Sequence, residues 1–170
     1  MQIRILAAAD AGPYQIIRLR GLRECPTAFS SSYEEECDEP LQRVAERLAS
    51  NPDRAAFGAF VADKLVGVAA VWREEQRKLA HKATIWTVYV APECRRQGIA
   101  RRLLQRVLQH AFAMPGIRQV NLGVNATNAA AMALYAAAGF EAFGLERGFM
   151  MVNGVPQDEV MMVCRRGAVA

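Results

Sequence analysis

The chain has few of the residues that build metal, redox or nucleophilic centres. It holds two histidines, His81 and His110, and four cysteines, Cys25, Cys37, Cys94 and Cys164, with no C-x-x-C spacing. Neither a metal site nor a disulfide framework is expected from that set. Long apolar runs are missing too. No stretch approaches the roughly 18–20 apolar residues a membrane span needs. The longest, 129–140, carries helix-interior residues and ends at Gly139-Phe140. The apolar stretch 3–9 stops at Asp10 and lacks a secretory pattern. A cytoplasmic protein with reduced thiols, away from the membrane, is the expectation. Repeats and low-complexity segments are also absent.

What the chain does have is apolar content of 52% over 170 residues, enough for one domain, 1–170, with a sizeable core. The net charge is a modest +4, unevenly placed. Residues 91–118 hold six arginines against one acid, Glu93. Residues 24–42 hold six acids and no Lys or Arg. A basic patch can signal nucleic acid. This one has no interleaved aromatics for base stacking and is offset by the acidic segment, so coenzyme phosphates are the better partner.

Periodicity and breakers predict the elements. Residues 2–8 read as a strand, and Asp10 as the cap of a helix running to Glu24, broken by Pro26. Ser30-Ser31-Ser32 caps a short turn carrying Glu34, Glu35 and Glu36, and Pro40 opens a helix over 41–49. Strands follow at 55–62 and 65–73 around an Asp63-Lys64 turn, and at 82–90. A helix is predicted over 99–112 and a strand over 120–124. A further helix starts at Thr127 or Asn128 and stops at Gly139. A final hairpin, 140–150 with 159–164, turns at Asn153-Gly154. The mixture predicts an α/β (α+β) sandwich, a mixed, mostly antiparallel central sheet with helices on both faces.

The most informative segment is Arg95-Arg96-Gln97-Gly98-Ile99-Ala100. It lies between a strand and a helix, where free backbone N–H groups and the positive helix end converge. Such a point binds phosphate. Gly98 allows close approach, and Arg95, Arg96, Arg101 and Arg102 add matching charge.

Val88-x-Val90-x-Pro92-x-x-Arg95-x-x-Gly98-x-Ala100 resembles motif A of the GNAT superfamily of acyl-CoA N-acyltransferases. Downstream, Asn128 through Leu134-Tyr135 to Gly139-Phe140 resembles its motif B. The resemblance covers about 65–143 and implies the fold just described, with acetyl-CoA as cosubstrate and no metal. By that resemblance Arg95, Arg96, Gln97, Gly98, Ile99, Ala100 and Arg101 hold the pyrophosphate. Main chain at Val88, Tyr89 and Val90 takes the pantetheine arm as an added strand, and Asn128 contacts the cofactor. Tyr135 protonates the departing thiolate, a transfer consistent with a phenol of pKa about 10. The final hairpin offers a homodimer edge by the same analogy.

The general base is less legible. The strand before motif A offers Thr84 and Trp86 rather than a carboxylate. Ribosomal-protein N-terminal acetyltransferases, which motif B resembles, carry a Glu five residues before the motif-B Asn. This chain has Gly123 there. Glu34, Glu35 and Glu36, in a segment that walls GNAT acceptor sites, are the candidates left, Glu34 and Glu35 first among them, with a solvated acidic turn as the competing reading. Cys94 adjoins Arg95 and a helix start, which favours thiolate, but the family transfers by direct attack. The implied activity is acetyl transfer to a primary amine of a small molecule or a peptide N-terminus in a ternary complex. A non-catalytic acyl-CoA-binding module is the alternative.

Overall fold

The computed structural model describes residues 1–49 and 51–167. Seven strands form one sheet: β1 (Gln2–Ile5), β2 (Arg54–Val61), β3 (Lys64–Arg73), β4 (Lys82–Val90), β5 (Gln119–Asn125), β6 (Glu141–Val152) and β7 (Val155–Arg165), in the order β1-β2-β3-β4-β5-β7-β6. All neighbours are antiparallel except β4 and β5. The helices are α1 (Ala11–Glu24), α2 (Tyr33–Glu36), α3 (Leu41–Leu48), α4 (Ile99–Ala113) and α5 (Ala129–Ala137).

Two buried clusters divide the sheet's faces. Ile99, Leu103, Leu104, Val107, Leu108 and Ala111 form the apolar stripe of α4 and pack on Phe57, Val66, Val71 and Ile85. Tyr14, Ile17 and Leu22 of α1, with Val44 and Leu48 of α3, pack on Leu6, Leu65, Val68 and Tyr89. The predicted helices on both faces of a mixed, mostly antiparallel sheet are what is found.

The differences from sequence expectation are local. The first strand ends at Ile5, and residues 8–10 make a 3₁₀ turn. Asp10 closes that turn: its carboxylate accepts from Ala7 N at 2.8 Å and from both Arg4 Nη atoms at 2.7 Å, and makes no cap to α1. The β2–β3 turn sits one residue earlier than predicted, at Ala62-Asp63, where both φ values are positive, 47° and 61°. That is the twist-matched hairpin geometry, which Asp tolerates well. The final hairpin is longer than read. Its strands continue across a bulge at Gly148 (φ 63°), whose N–H donates to Asp158. At the outer edge, β6 exposes Phe143, Leu145 and Met151.

Leu103 is fully buried between α4 and the sheet. Leu103→Ala should lower unfolding free energy by about 2–5 kcal/mol, measured by denaturant titration. A loss under about 1 kcal/mol would mean that this face is loosely packed.

Candidate active site

The site arises where the sheet opens. β4 and β5 are paired only at Lys82↔Gln119, Ala83↔Val120 and Thr84↔Asn121. Beyond Thr84 they part, while β5 stays paired with β7 as far as Asn125↔Glu159. A bulge in β4 accompanies the divergence: Ala70 opposes Trp86 and Val68 opposes Tyr89, so Thr87 and Val88 together face Ala69. Thr87 takes a left-handed φ of 53°, a strained conformation for a β-branched residue. The result is a cleft of about 890 Å³ with Val88, Tyr89 and Val90 on one wall and Leu122 to Asn125 on the other.

The loop after β4 stands at one end of the cleft. Arg96 (φ 61°) and Gly98 (φ 76°) both lie in the left-handed region and turn the chain into α4. A Cβ on Gly98 would meet nothing within 4 Å, so the approach to the helix start is open. Arg102 N, bonded to Gly98 O at 3.1 Å, begins the helical ladder. The amides of Ile99, Ala100 and Arg101 therefore have no partner within the helix. Arg95 lines the cleft with its Nε held on Val90 O at 2.9 Å, and Arg96, Gln97 and Arg101 are exposed around the turn. Ile99, buried, anchors the helix start to the core. Phosphate groups fit this donor set.

Asn128 and Tyr135 come from α5. Asn128 is its N-cap, with Oδ1 accepting from Ala131 N at 3.1 Å. Tyr135 is buried, edge-on to Phe140 at 5.9 Å between ring centroids, and lines the cleft. Burial pushes its phenol up to about 12, which keeps it protonated and able to donate.

The sequence model of the Acetyltransferase (GNAT) family matches residues 21–140. The chain belongs to this family. It is an acetyl-CoA-dependent N-acetyltransferase. It is 36% identical over 118 residues to the N-alpha-acetyltransferase RimI of Mycobacterium tuberculosis, a match covering 69% of this chain and 72% of that one. It is 32% identical over 81 residues to the [ribosomal protein bS18]-alanine N-acetyltransferase of Escherichia coli K12, covering 48% of this chain and 54% of that protein. The fold is shared with a GNAT-family acetyltransferase of Streptococcus pneumoniae (TM-score 0.84, 20% identity, 96% and 98% of the chains covered). It is shared too with yncA of Salmonella typhimurium, solved with acetyl-CoA (TM-score 0.80, 19% identity, 97% and 93% covered).

In this acetyltransferase the acidic segment separates into distinct roles. Glu35 accepts from Ser32 N at 2.6 Å while Ser32 Oγ accepts from Glu35 N, a capping box for α2. Glu34 lines a second groove of about 570 Å³ and does not reach the main cleft. The structure thus brings neither Glu34 nor Glu35 to Tyr135's cleft. Glu36 does line it, in a buried bidentate pair with Arg18 at 2.6 and 2.9 Å. Arg18 also donates to Thr87 Oγ1 at 3.2 Å and lies over the Phe29 ring, 4.8 Å from its centroid.

Tyr89 lines the cleft, but its ring packs on Gly21 and its hydroxyl donates to Glu24 at 2.5 Å. Trp86 and Trp72 pack ring against ring on the cleft wall, 5.4 Å between centroids and tilted by 44°. Two residues escaped the sequence reading. Arg18 interrupts the buried stripe of α1, and a cation there was the available signal. Glu159 of β7 lines the cleft beside Gly123. Its signal was weaker: Asp158-Glu159, a pair of acids just before the apolar half of β7.

Burial pulls the Glu36 carboxyl up, but Arg18's hydrogen bonds and charge outweigh it and leave Glu36 below the ordinary range. A depressed carboxyl stabilises the fold above its unfolded value, near 4.5, and loses that contribution as pH falls through the folded value. Glu36→Ala should destabilise the protein by about 3–5 kcal/mol, because Arg18 is left buried without its partner. It should also flatten the acid side of the stability–pH curve. Thermal melts from pH 3 to 7, at about one-unit steps, read both effects.

Proposed function

We propose that this acetyltransferase transfers the acetyl group of acetyl-CoA to the α-amine of a peptide or protein N-terminus by direct attack in a ternary complex. The observation carrying this reading is the shape of the acceptor side. The second groove runs on from the main cleft, sharing Pro26, Phe29, Ser30, Ser31 and Met150 with it. A small amine needs no such extension; a peptide behind its N-terminus does. The N-alpha-acetyltransferase relatives support the same acceptor class. A single acetyltransferase domain over 1–170, of which residues 50 and 168–170 lie outside the described residues, and a cytoplasmic location belong to this reading. No helix among the described residues is long and apolar enough to cross a membrane.

Acetyl-CoA supplies the activated thioester. The amides of Ile99, Ala100 and Arg101 and the guanidinium groups of Arg95 and Arg96 bind its phosphates at the positive end of α4. Main chain at Val88 and Val90, facing the gap left by β5, accepts the pantetheine arm as an added strand and orients the thioester. Tyr135 donates its proton to sulfur as the thiol leaves. Glu34, on the second groove, lies beside the residues that follow the peptide's N-terminus.

Acetyl-CoA at about 100 times Kd should stabilise the protein by about 2.7 kcal/mol. Gly98→Asp, which sets a carboxylate before the helix start and strains a left-handed residue, should abolish that shift while the apo protein still folds. A normal shift would place the phosphates elsewhere.

Tyr135→Phe should keep acetyl-CoA affinity and lose about 10²–10⁴-fold in kcat. Thiol release with a panel of N-terminal peptides and small polyamines tests the acceptor class. Faster turnover of the amines would overturn the peptide reading, and no turnover with any acceptor would favour a coenzyme-binding module.

A further inference from the structure

An attacking amine must lose a proton, and most acids around the cleft are already held. Glu36 is paired with Arg18, and Glu24 with Arg20 and Tyr89. Glu35 is held in its cap. Glu159 is different. Its Cα is opposite Asn125, but its side chain runs diagonally across β5 and stands over Gly123. A Cβ built on Gly123 would lie 2.3 Å from Glu159 Cδ and Oε2 and 2.5 Å from Oε1. Those distances are far inside van der Waals contact, so no side chain at 123 is compatible with this carboxylate position. The carboxylate is half-buried and lines the same cleft as Tyr135, Val88 and Trp86.

We propose that Glu159 is the group that takes the proton from the attacking amine, and that residue 123 is glycine because this carboxylate fills the space above it. The inference rests on the acetyl-transfer reading above. The amine nitrogen bonds to the thioester carbonyl carbon and the carbon–sulfur bond breaks. One nitrogen proton passes to Glu159, directly or through one water, and one proton passes from Tyr135 to sulfur. The products are the acetamide and the free thiol, and the two side chains then exchange protons with solvent.

Two influences raise the Glu159 carboxyl above the ordinary range: burial first, then the Glu146 carboxylate opposite it on β6. β5 presents only Gly123 and Asn125 to it. Asn125 is itself held by Gln157 at 3.1 Å. The other charged groups on the cleft are the Arg18–Glu36 pair, Glu24, Arg47 and Arg95. Arg47 is bound to Glu39, and Arg95 to Val90 O. A carboxylate raised by its surroundings is a better proton acceptor near neutrality than an exposed one.

Glu159→Gln should keep the melting temperature and acetyl-CoA affinity but lose about 10²–10⁴-fold in kcat. Wild-type kcat/KM should rise with pH through the Glu159 pKa, and Glu146→Gln should move that limb to lower pH by removing the like charge. The double variant Gly123→Glu/Glu159→Gly delivers a carboxylate to the same space from the opposite strand, and should recover much of the activity lost in Glu159→Gln. A mere packing role for Glu159 would produce neither the limb shift nor the recovery. Wild-type kcat and pH profile in Glu159→Gln would overturn the assignment alone. A wild-type enzyme that releases no thiol with any amine would overturn the acetyl-transfer reading, and this assignment with it.

Discussion

The divergence of β4 from β5 is the feature on which the rest of the site depends. A parallel pair that separates after three residue pairs leaves backbone N–H and C=O groups on the inner side of Val88 to Val90 without a strand partner. Backbone polar groups demand partners, and an extended ligand arm is one that water and side chains do not displace easily. The same divergence carries the β4 end toward the start of α4 and the β5 end toward α5. The proposed phosphate-binding helix start and Tyr135 therefore stand on one cleft although 35 positions separate Ala100 from Tyr135 in the chain.

The opening is held by buried polar contacts rather than by apolar packing alone. Thr87 adopts a positive φ at the β4 bulge, and its hydroxyl accepts from Arg18. Arg18 in turn is neutralised by Glu36, on the short helix α2, on the proposed acceptor side of the cleft. Strand bulge, first helix and acceptor wall are thus coupled through one guanidinium. Its fork geometry suits this linking, because a carboxylate, a hydroxyl and an aromatic face can be met at once. Removing any one partner leaves a buried charge or a strained threonine, so acceptor-side mutations here will alter stability and not only turnover.

The proposed acid and the proposed base differ in how visible they are in sequence. Tyr135 lies in a helix whose cap, apolar face and terminating glycine are local signals, and its neighbours in the chain are its neighbours in space. Glu159 reaches its position only through the β5–β7 register and a diagonal side-chain path. Position 123, where the motif-B resemblance points to a carboxylate, is glycine. The side chain that stands there comes from 36 residues further on, on the adjacent strand.

The sequence by itself determined the family and the fold class and marked the loop proposed to hold the coenzyme phosphates, because each is encoded in contiguous residues: a strand, Arg95-x-x-Gly98-x-Ala100, an amphipathic helix, and Asn128 to Phe140. Turn chemistry and periodicity placed most elements within a few residues. The misses, the short β1 and the one-residue shift at Ala62-Asp63, arose where the Asp10 carboxylate bonded Ala7 N and Arg4 instead of capping α1, or where strand register chose the turn. Only the tertiary structure decided which acids line the cleft. It drew Glu35 into a cap, Glu36 onto Arg18 and Glu159 over Gly123, since strand register and side-chain partners separated by tens of residues leave no local trace in the chain.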